Sequence, residues 1–190
     1  MGKTYDNITP AIAEFIAKQP MFFVATAPLA TDGLVNVSPK ALDGTFVVVD
    51  DHRVAYIDLM GSTGETVAHI RENGRITIMF NSFTGPARIV RLYGRATWHE
   101  PGEVGFDELI GKFTYFRGTR SIIDVSVDRI ADSCGFGVPN MTLESQRTQL
   151  DKWALKRDRT EPSEYKESHN TSLDGLPILS HPERHIEIAD

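Results

Sequence analysis

The apolar positions change period along the chain. Near the start, Ile8, Ile12, Phe15 and Ile16 fall at i, i+4, i+7 and i+8, one face of a 3.6-residue repeat, and predict a helix. Asn7 or Thr9 can cap it, Pro10 suits its first turn and Pro20 ends it. From residue 21 the repeat shortens to two. Short β runs are expected over 21–27, 34–37, 45–50, 53–59, 75–80, 88–99 and 121–129. Thr31-Asp32-Gly33 marks a turn and Asp50-Asp51-His52 a tight hairpin. In the longest run Val90, Leu92, Ala96 and Trp98 share one side, with Arg91, Tyr93, Arg95 and Thr97 on the other. Helical patterns return over 63–73, about 103–112 and 143–157, the last keeping Leu143, Arg147, Leu150 and Ala154 on one face. Short strands with hairpin-like links and interspersed helices predict a mainly β fold with flanking helices. A small antiparallel barrel is the expected form, because closure removes exposed sheet edges. Residues 1–158 read as this single domain. Residues 159–190 are poor in apolar side chains and read as an arm lying on a surface, or a partly disordered tail.

Charge and composition narrow the function classes. The 190 residues carry 20 Lys+Arg against 26 Asp+Glu, a formal net charge of −6, which argues against a nucleic-acid partner bound by phosphate neutralisation. No apolar run reaches the ~18 residues of a membrane helix. The stretch from Ile8 to Val24 is broken by Glu14 and Lys18 and lacks the flanks of a signal peptide, so a cytoplasmic protein without membrane contact is expected. The single Cys134 cannot form an intramolecular disulfide, fits a reducing compartment and reads as a structural thiol.

The segment from Asp58 to Ile70 is the most informative. A strand runs into Gly61-Ser62-Thr63-Gly64 and then into a helix beginning near Glu65-Thr66. The first turn of a helix has four unpaired N–H groups and a partial positive charge, so a phosphate fits there. Gly61 and Gly64 let the backbone approach, and Ser62, Thr63 and Thr66 add hydroxyls. The same letters also read as a capping box, S-x-x-E from Ser62 to Glu65, which would satisfy the helix end by itself. Ser38-Pro39-Lys40 offers a hydroxyl, a rigid turn and a cation. Lys40 would either neutralise a phosphate or bond a ring carbonyl, or Pro39 merely closes the strand and Lys40 is solvated. Arg91 and Arg95 form a local basic stripe suited to phosphate, or an exposed barrel face with ordinary solvated arginines. The six histidines show no metal-ligand spacing backed by carboxylates or cysteines, and no metal site is expected. No nucleophile with a base, P-loop or dinucleotide fingerprint is present, and no catalytic residue is assigned. A phosphorylated cofactor explains these features better than side-chain catalysis.

In their order along the chain, the N-terminal helix, Ser38-Pro39-Lys40, residues 54–80 and Arg91-Leu92-Tyr93-Gly94-Arg95 resemble the pyridoxamine 5′-phosphate oxidase-like family of FMN-binding split barrels. Cys134-Gly135-Phe136-Gly137-Val138-Pro139 and Asn170-Thr171-Ser172-Leu173-Asp174-Gly175-Leu176-Pro177 look like a subgroup of it. The resemblance implies a split β-barrel that forms a homodimer and binds FMN at the dimer interface. The turn after Asp58 would then hold the flavin phosphate through Gly61, Ser62, Thr63 and Thr66, with Ser38, Pro39 and Lys40 facing the flavin. Family oxidases carry an Arg-Lys pair in this turn. Here Thr63-Gly64-Glu65-Thr66 removes two cations and adds an anion, leaving Lys40, Arg91 and Arg95 to compensate. The implied activity is an FMN-dependent oxidoreductase for a small-molecule substrate, not pyridoxamine phosphate oxidation itself, since no basic substrate pocket can be assigned. The alternatives are a deazaflavin-dependent reductase and a non-catalytic flavin-binding barrel.

Overall fold

The computed structural model describes residues 2–61, 63–114, 118–158 and 162–186. Among these, eight strands form one antiparallel sheet: β1 (Thr4–Tyr5), β2 (Met21–Thr26), β3 (Asn36–Ala41), β4 (Phe46–Val48), β5 (Arg53–Leu59), β6 (Arg75–Asn81), β7 (Ile89–His99) and β8 (Thr119–Ser133). The helices are α1 (Pro10–Ala17), α2 (Glu65–Asn73), α3 (Val104–Ile110), α4 (Gln149–Asp158) and α5 (Pro162–Ser168). Strand order is β3-β2-β6-β7-β8-β5-β4, with β1 added to the far end of β8. The sheet curls until its two ends, β3 and β4, approach without pairing. Phe22 of β2 meets Phe46 of β4 edge-on at 5.0 Å across that seam, and Phe80 meets Phe46 at the same distance. This is a split β-barrel.

The alternation seen in the sequence is the barrel's inside and outside. Val24, Val54, Tyr56, Ile78, Phe80, Val90, Leu92, Ile123 and Val125 fill the interior. Ile12 and Ile16 of α1 are buried within the same core, and Thr9 caps that helix through Oγ1, which accepts from the Ile12 amide at 3.3 Å. α2 packs against β2, β6 and β7 and ends at Gly74, whose φ of +66° only glycine adopts without strain.

Several boundaries differ from the sequence reading. Pro39 does not close a strand: β3 runs two residues beyond it, and Pro39 pairs opposite Phe23. β3 bonds only to β2, so an edge strand tolerates the missing N–H. The 143–157 helix starts only at Gln149, because residues 139–148 form no regular structure. Cys134 is exposed, so it has no packing role. The arm is firmly seated. Ile178 and Leu179 enter the main core, and the Asn170 side chain brackets Leu179, donating to its carbonyl at 3.0 Å and accepting from its amide at 2.7 Å. Fully buried Glu100 accepts from the Ser180 and His181 amides, both at 2.7 Å. No helix among the described residues is long and apolar enough to cross a membrane.

Candidate functional site

Where the barrel seam meets α2, a cleft of about 250 Å³ opens between β3, the end of β5, the following turn and the start of β8. Alternation along β3 turns Asn36, Ser38 and Lys40 inward while Val37, Pro39 and Ala41 face out. On the opposite wall, β5 delivers Asp58 and Leu59, and β8 delivers Arg120. The floor is the turn Gly61, Thr63, Gly64 with Glu65 and Thr66 of α2.

The electrostatic centre is Asp58, whose side chain is fully buried. Arg120 Nε donates to its Oδ2 at 2.7 Å, Ser121 Oγ donates to the same atom at 3.3 Å, and Lys40 Nζ lies 3.5 Å from Oδ1. Burial opposes the Asp58 charge, but the neighbouring Arg120 and Lys40 cations prevail and hold its carboxyl below the usual carboxylate range. The pairing sets two cations on one anion, with the Glu65 carboxylate as the second acidic group bordering the cleft. Lys40 comes from β3 and Asp58 from β5, so their ion pair also spans the split in the sheet. Tyr56, buried one turn of the pleat below, has its phenol pushed well up by burial and by Asp58, and stays neutral.

The helix end behaves differently from a capping box. α2 begins at Glu65 with Gly64, which has no side chain, as N-cap, so Glu65 stands at the first helical position and not the third, and no side-chain cap is present among the described residues. Glu65 Oε1 instead accepts from the Leu173 amide of the arm at 3.1 Å, which draws the carboxylate off the helix mouth. Gly64 is required by close approach: a Cβ there would lie 2.6 Å from Ile178 Cγ2 and 3.0 Å from Arg120 Nη1. Arg120 Nη1 also donates to the Thr63 carbonyl at 3.0 Å, fixing the turn. Thr66 Oγ1 accepts from Asn36 Nδ2 at 3.1 Å, and Ser38 Oγ donates to Asn36 Oδ1 at 2.8 Å, so the polar wall is braced before any ligand arrives.

Of the residues singled out in the sequence, Ser38, Pro39, Lys40, Gly61, Thr63 and Thr66 therefore converge on one cleft. Ser62 lies outside the described residues. Arg91 and Arg95 do not border this cleft: Arg91 Nη1 donates to Ser133 Oγ at 3.1 Å, and Arg95 Nη1 to the Asn73 carbonyl at 2.7 Å. The second cation in the cleft is Arg120, 62 residues from its partner Asp58, and no motif marks it along the chain. Asn36 was missed for the same reason, although the alternation through Ser38 and Lys40 places it on their face. The donor set fits a phosphate-bearing cofactor: the amides of the first turn of α2, a glycine-bearing turn and two cations, with Asp58 already paired to both cations and Glu65 bonded to the Leu173 amide.

A split barrel with a polar cleft at a strand-to-helix turn defines a class of folds, and comparison with known proteins gives the family. Residues 8–132 match the family model described as pyridoxamine 5′-phosphate oxidase. A pyridoxamine 5′-phosphate oxidase family protein of Aspergillus flavus, ustO, is 37% identical over 193 residues, covering 92% of this chain and 77% of that protein. The chain belongs to the pyridoxamine 5′-phosphate oxidase family. Among solved structures, Group A Streptococcus HupZ matches with a TM-score of 0.50 at 24% identity, over 65% of this chain and 91% of that one, and shares the fold. An FAD-binding protein from Mesorhizobium loti matches at a TM-score of 0.47 and 11% identity, over 70% of this chain and 96% of that one.

Proposed function

We propose that this protein is a homodimeric, FMN-dependent oxidoreductase acting on a small-molecule substrate in the cytoplasm. One observation carries the reading: the first turn of α2, with a glycine at its N-cap, opens into a cleft flanked by Lys40 and Arg120. Membership of the pyridoxamine 5′-phosphate oxidase family supports the same cofactor type. A bound flavin supplies the hydride-accepting and hydride-donating centre. The chain's own part is to bind and orient. Amides at Gly64 to Thr66 and the Thr63 hydroxyl receive the phosphate, Lys40 and Arg120 balance its charge, and Asp58 keeps both cations in place. Ser38 and Asn36, already bonded to each other, present fixed polar groups along β3 and spare reorganisation on binding. Two cations suit a single phosphate, whereas the longer charged tail of a deazaflavin coenzyme calls for more.

The dimer is supported by what β3 leaves uncovered. Leu34, Val35 and Val37, on β3 and just before it, are 54%, 70% and 64% exposed. At about 250 Å³ the cleft sits just under the roughly 300–1,000 Å³ of small-molecule sites, so a second copy covering this side would complete it. The test is the absorption spectrum of the purified protein, followed by FMN titration and anaerobic addition of a reduced nicotinamide. Yellow protein, or uptake of one FMN per chain with bleaching on reduction and recovery in oxygen, is expected. Absence of flavin uptake would overturn the reading. Uptake without any redox response would leave a binding barrel in place of an enzyme.

A further inference from the structure

On the arm side of α2, three ligand-bearing side chains converge that the flavin reading does not use. Glu65 and His69 stand four residues apart on one face of the helix. Asp174 reaches them from the turn Ser172–Pro177 of the arm, and one ligand atom from each lies within 4.8 Å of the other two. His69 is fully buried, and its Nε2 has no hydrogen-bond partner among the described residues. Glu65 Oε2 is likewise buried and unpartnered, 3.9 Å from that nitrogen. Two orphaned polar atoms facing each other at this distance are costly, since each has lost its water without a replacement. A separation of 3.9 Å is long for a hydrogen bond but fits two ligands on one ion, with bonds of about 2.0–2.2 Å to each.

The other atom of each group is already held. His69 Nδ1 meets Thr26 Oγ1 at 3.0 Å, Glu65 Oε1 accepts from the Leu173 amide, and Asp174 Oδ2 accepts from the Leu34 amide at 2.9 Å. Outer partners that fix the ring and the carboxylates while leaving one atom of each pointing inward are the usual support of a metal site. We propose that Glu65, His69 and Asp174 bind a divalent transition-metal ion, with Asp174, the exposed member on a turn, moving in to close the site. One imidazole and two carboxylates suit Zn²⁺, Mn²⁺, Fe²⁺ or Co²⁺, with water completing the coordination. The ion would fasten the arm to α2 and offset the Glu65 charge beside the cleft. This inference is independent of flavin binding.

The test uses the full chain, free of any histidine tag, with Co²⁺ and Zn²⁺ as probes. Tail histidines are controlled by a His181→Ala/His185→Ala parent. Expected are one equivalent of tightly held metal per chain by elemental analysis, a Co²⁺ visible spectrum, and a metal-dependent rise in melting temperature. Asp174→Asn, at an exposed position that leaves the core intact, should weaken affinity at least tenfold, and Glu65→Gln should do the same. Metal uptake unchanged in both variants, or no uptake by the parent at all, overturns the proposal. The latter result would leave Glu65 and His69 as a buried polar pair without an ion.

Discussion

Arg120→Met is the most informative single perturbation of the cleft. It keeps the side chain's bulk and removes the charge. Asp58 is fully buried and would retain only Lys40 at 3.5 Å and the Ser121 hydroxyl at 3.3 Å. Breaking one member of a buried, hydrogen-bonded charge pair costs about 3–5 kcal/mol, because the partner's desolvation is no longer offset. That is a large share of the roughly 5–15 kcal/mol that holds a domain of this size together. The coupling partner is Asp58→Asn, which removes the stranded charge. The double variant should therefore be more stable than Arg120→Met alone, by about 1–3 kcal/mol, within the range of coupling energies for touching residues. Equilibrium urea unfolding at neutral pH reads all four corners of the cycle. The pH dependence adds a check of sign. The native Asp58 carboxyl sits below its ordinary value, so its stabilisation is complete above the unfolded pKa near ~3.9 and is lost as pH falls through the lower folded value. Without Arg120 the carboxyl rises, and acid unfolding should begin at higher pH. If Arg120→Met unfolds within about 0.5 kcal/mol of the parent, the typical span of an inconsequential surface change, Arg120 does not organise the cleft and the reasoning fails.

Three further outcomes follow from other parts of the molecule. Ile178→Ala empties a fully buried position beside Gly64 and should cost about 2–4 kcal/mol in urea unfolding, showing that the arm is part of the core; a cost near zero would detach it. Asp124 is opposed by burial but held at about 2 by hydrogen bonds and charge from Arg53 and His99, so its stabilisation is present above ~3.9 and lost toward pH 2; Asp124→Asn should flatten the stability-against-pH curve by about one proton over that window. Val37→Lys on the exposed face of β3 should convert a dimer to a monomer in sedimentation velocity with the fold preserved by circular dichroism, and an unchanged sedimentation coefficient would remove β3 from the interface.

Period alone revealed most of the barrel, because a strand half-buried in a closed sheet must alternate, as 75–80 and 88–99 do. It failed where burial is two-sided or contact is distant. Leu34 and Val35 look like a strand but lie exposed before β3, whose own face carries Asn36, Ser38 and Lys40. Pro39 reads as a stop in any sequence and is acceptable here only because β3 is an edge. The turn after Asp58 reads as a candidate anion site from its glycines and hydroxyls, and the structure lines the cleft with Gly61, Thr63, Gly64 and Thr66. Its cation was not legible, since Arg120 reaches it only through the pairing of β8 with β5, which places Ser121 opposite Asp58. The arm escaped notice because Ile178 and Leu179 are two apolar residues in a polar stretch, and two are enough when both are buried.

The proposed function requires recognition of a phosphate by the first turn of α2 with Lys40 and Arg120. Comparing FMN with riboflavin, which differ only by that phosphate, measures this directly by fluorescence quenching. FMN should bind at least about 100-fold tighter, as charge-assisted hydrogen bonds worth roughly 1.5–3 kcal/mol each require, and Lys40→Met should erase most of the difference. Equal affinity for the two ligands would mean that the cleft does not read the phosphate.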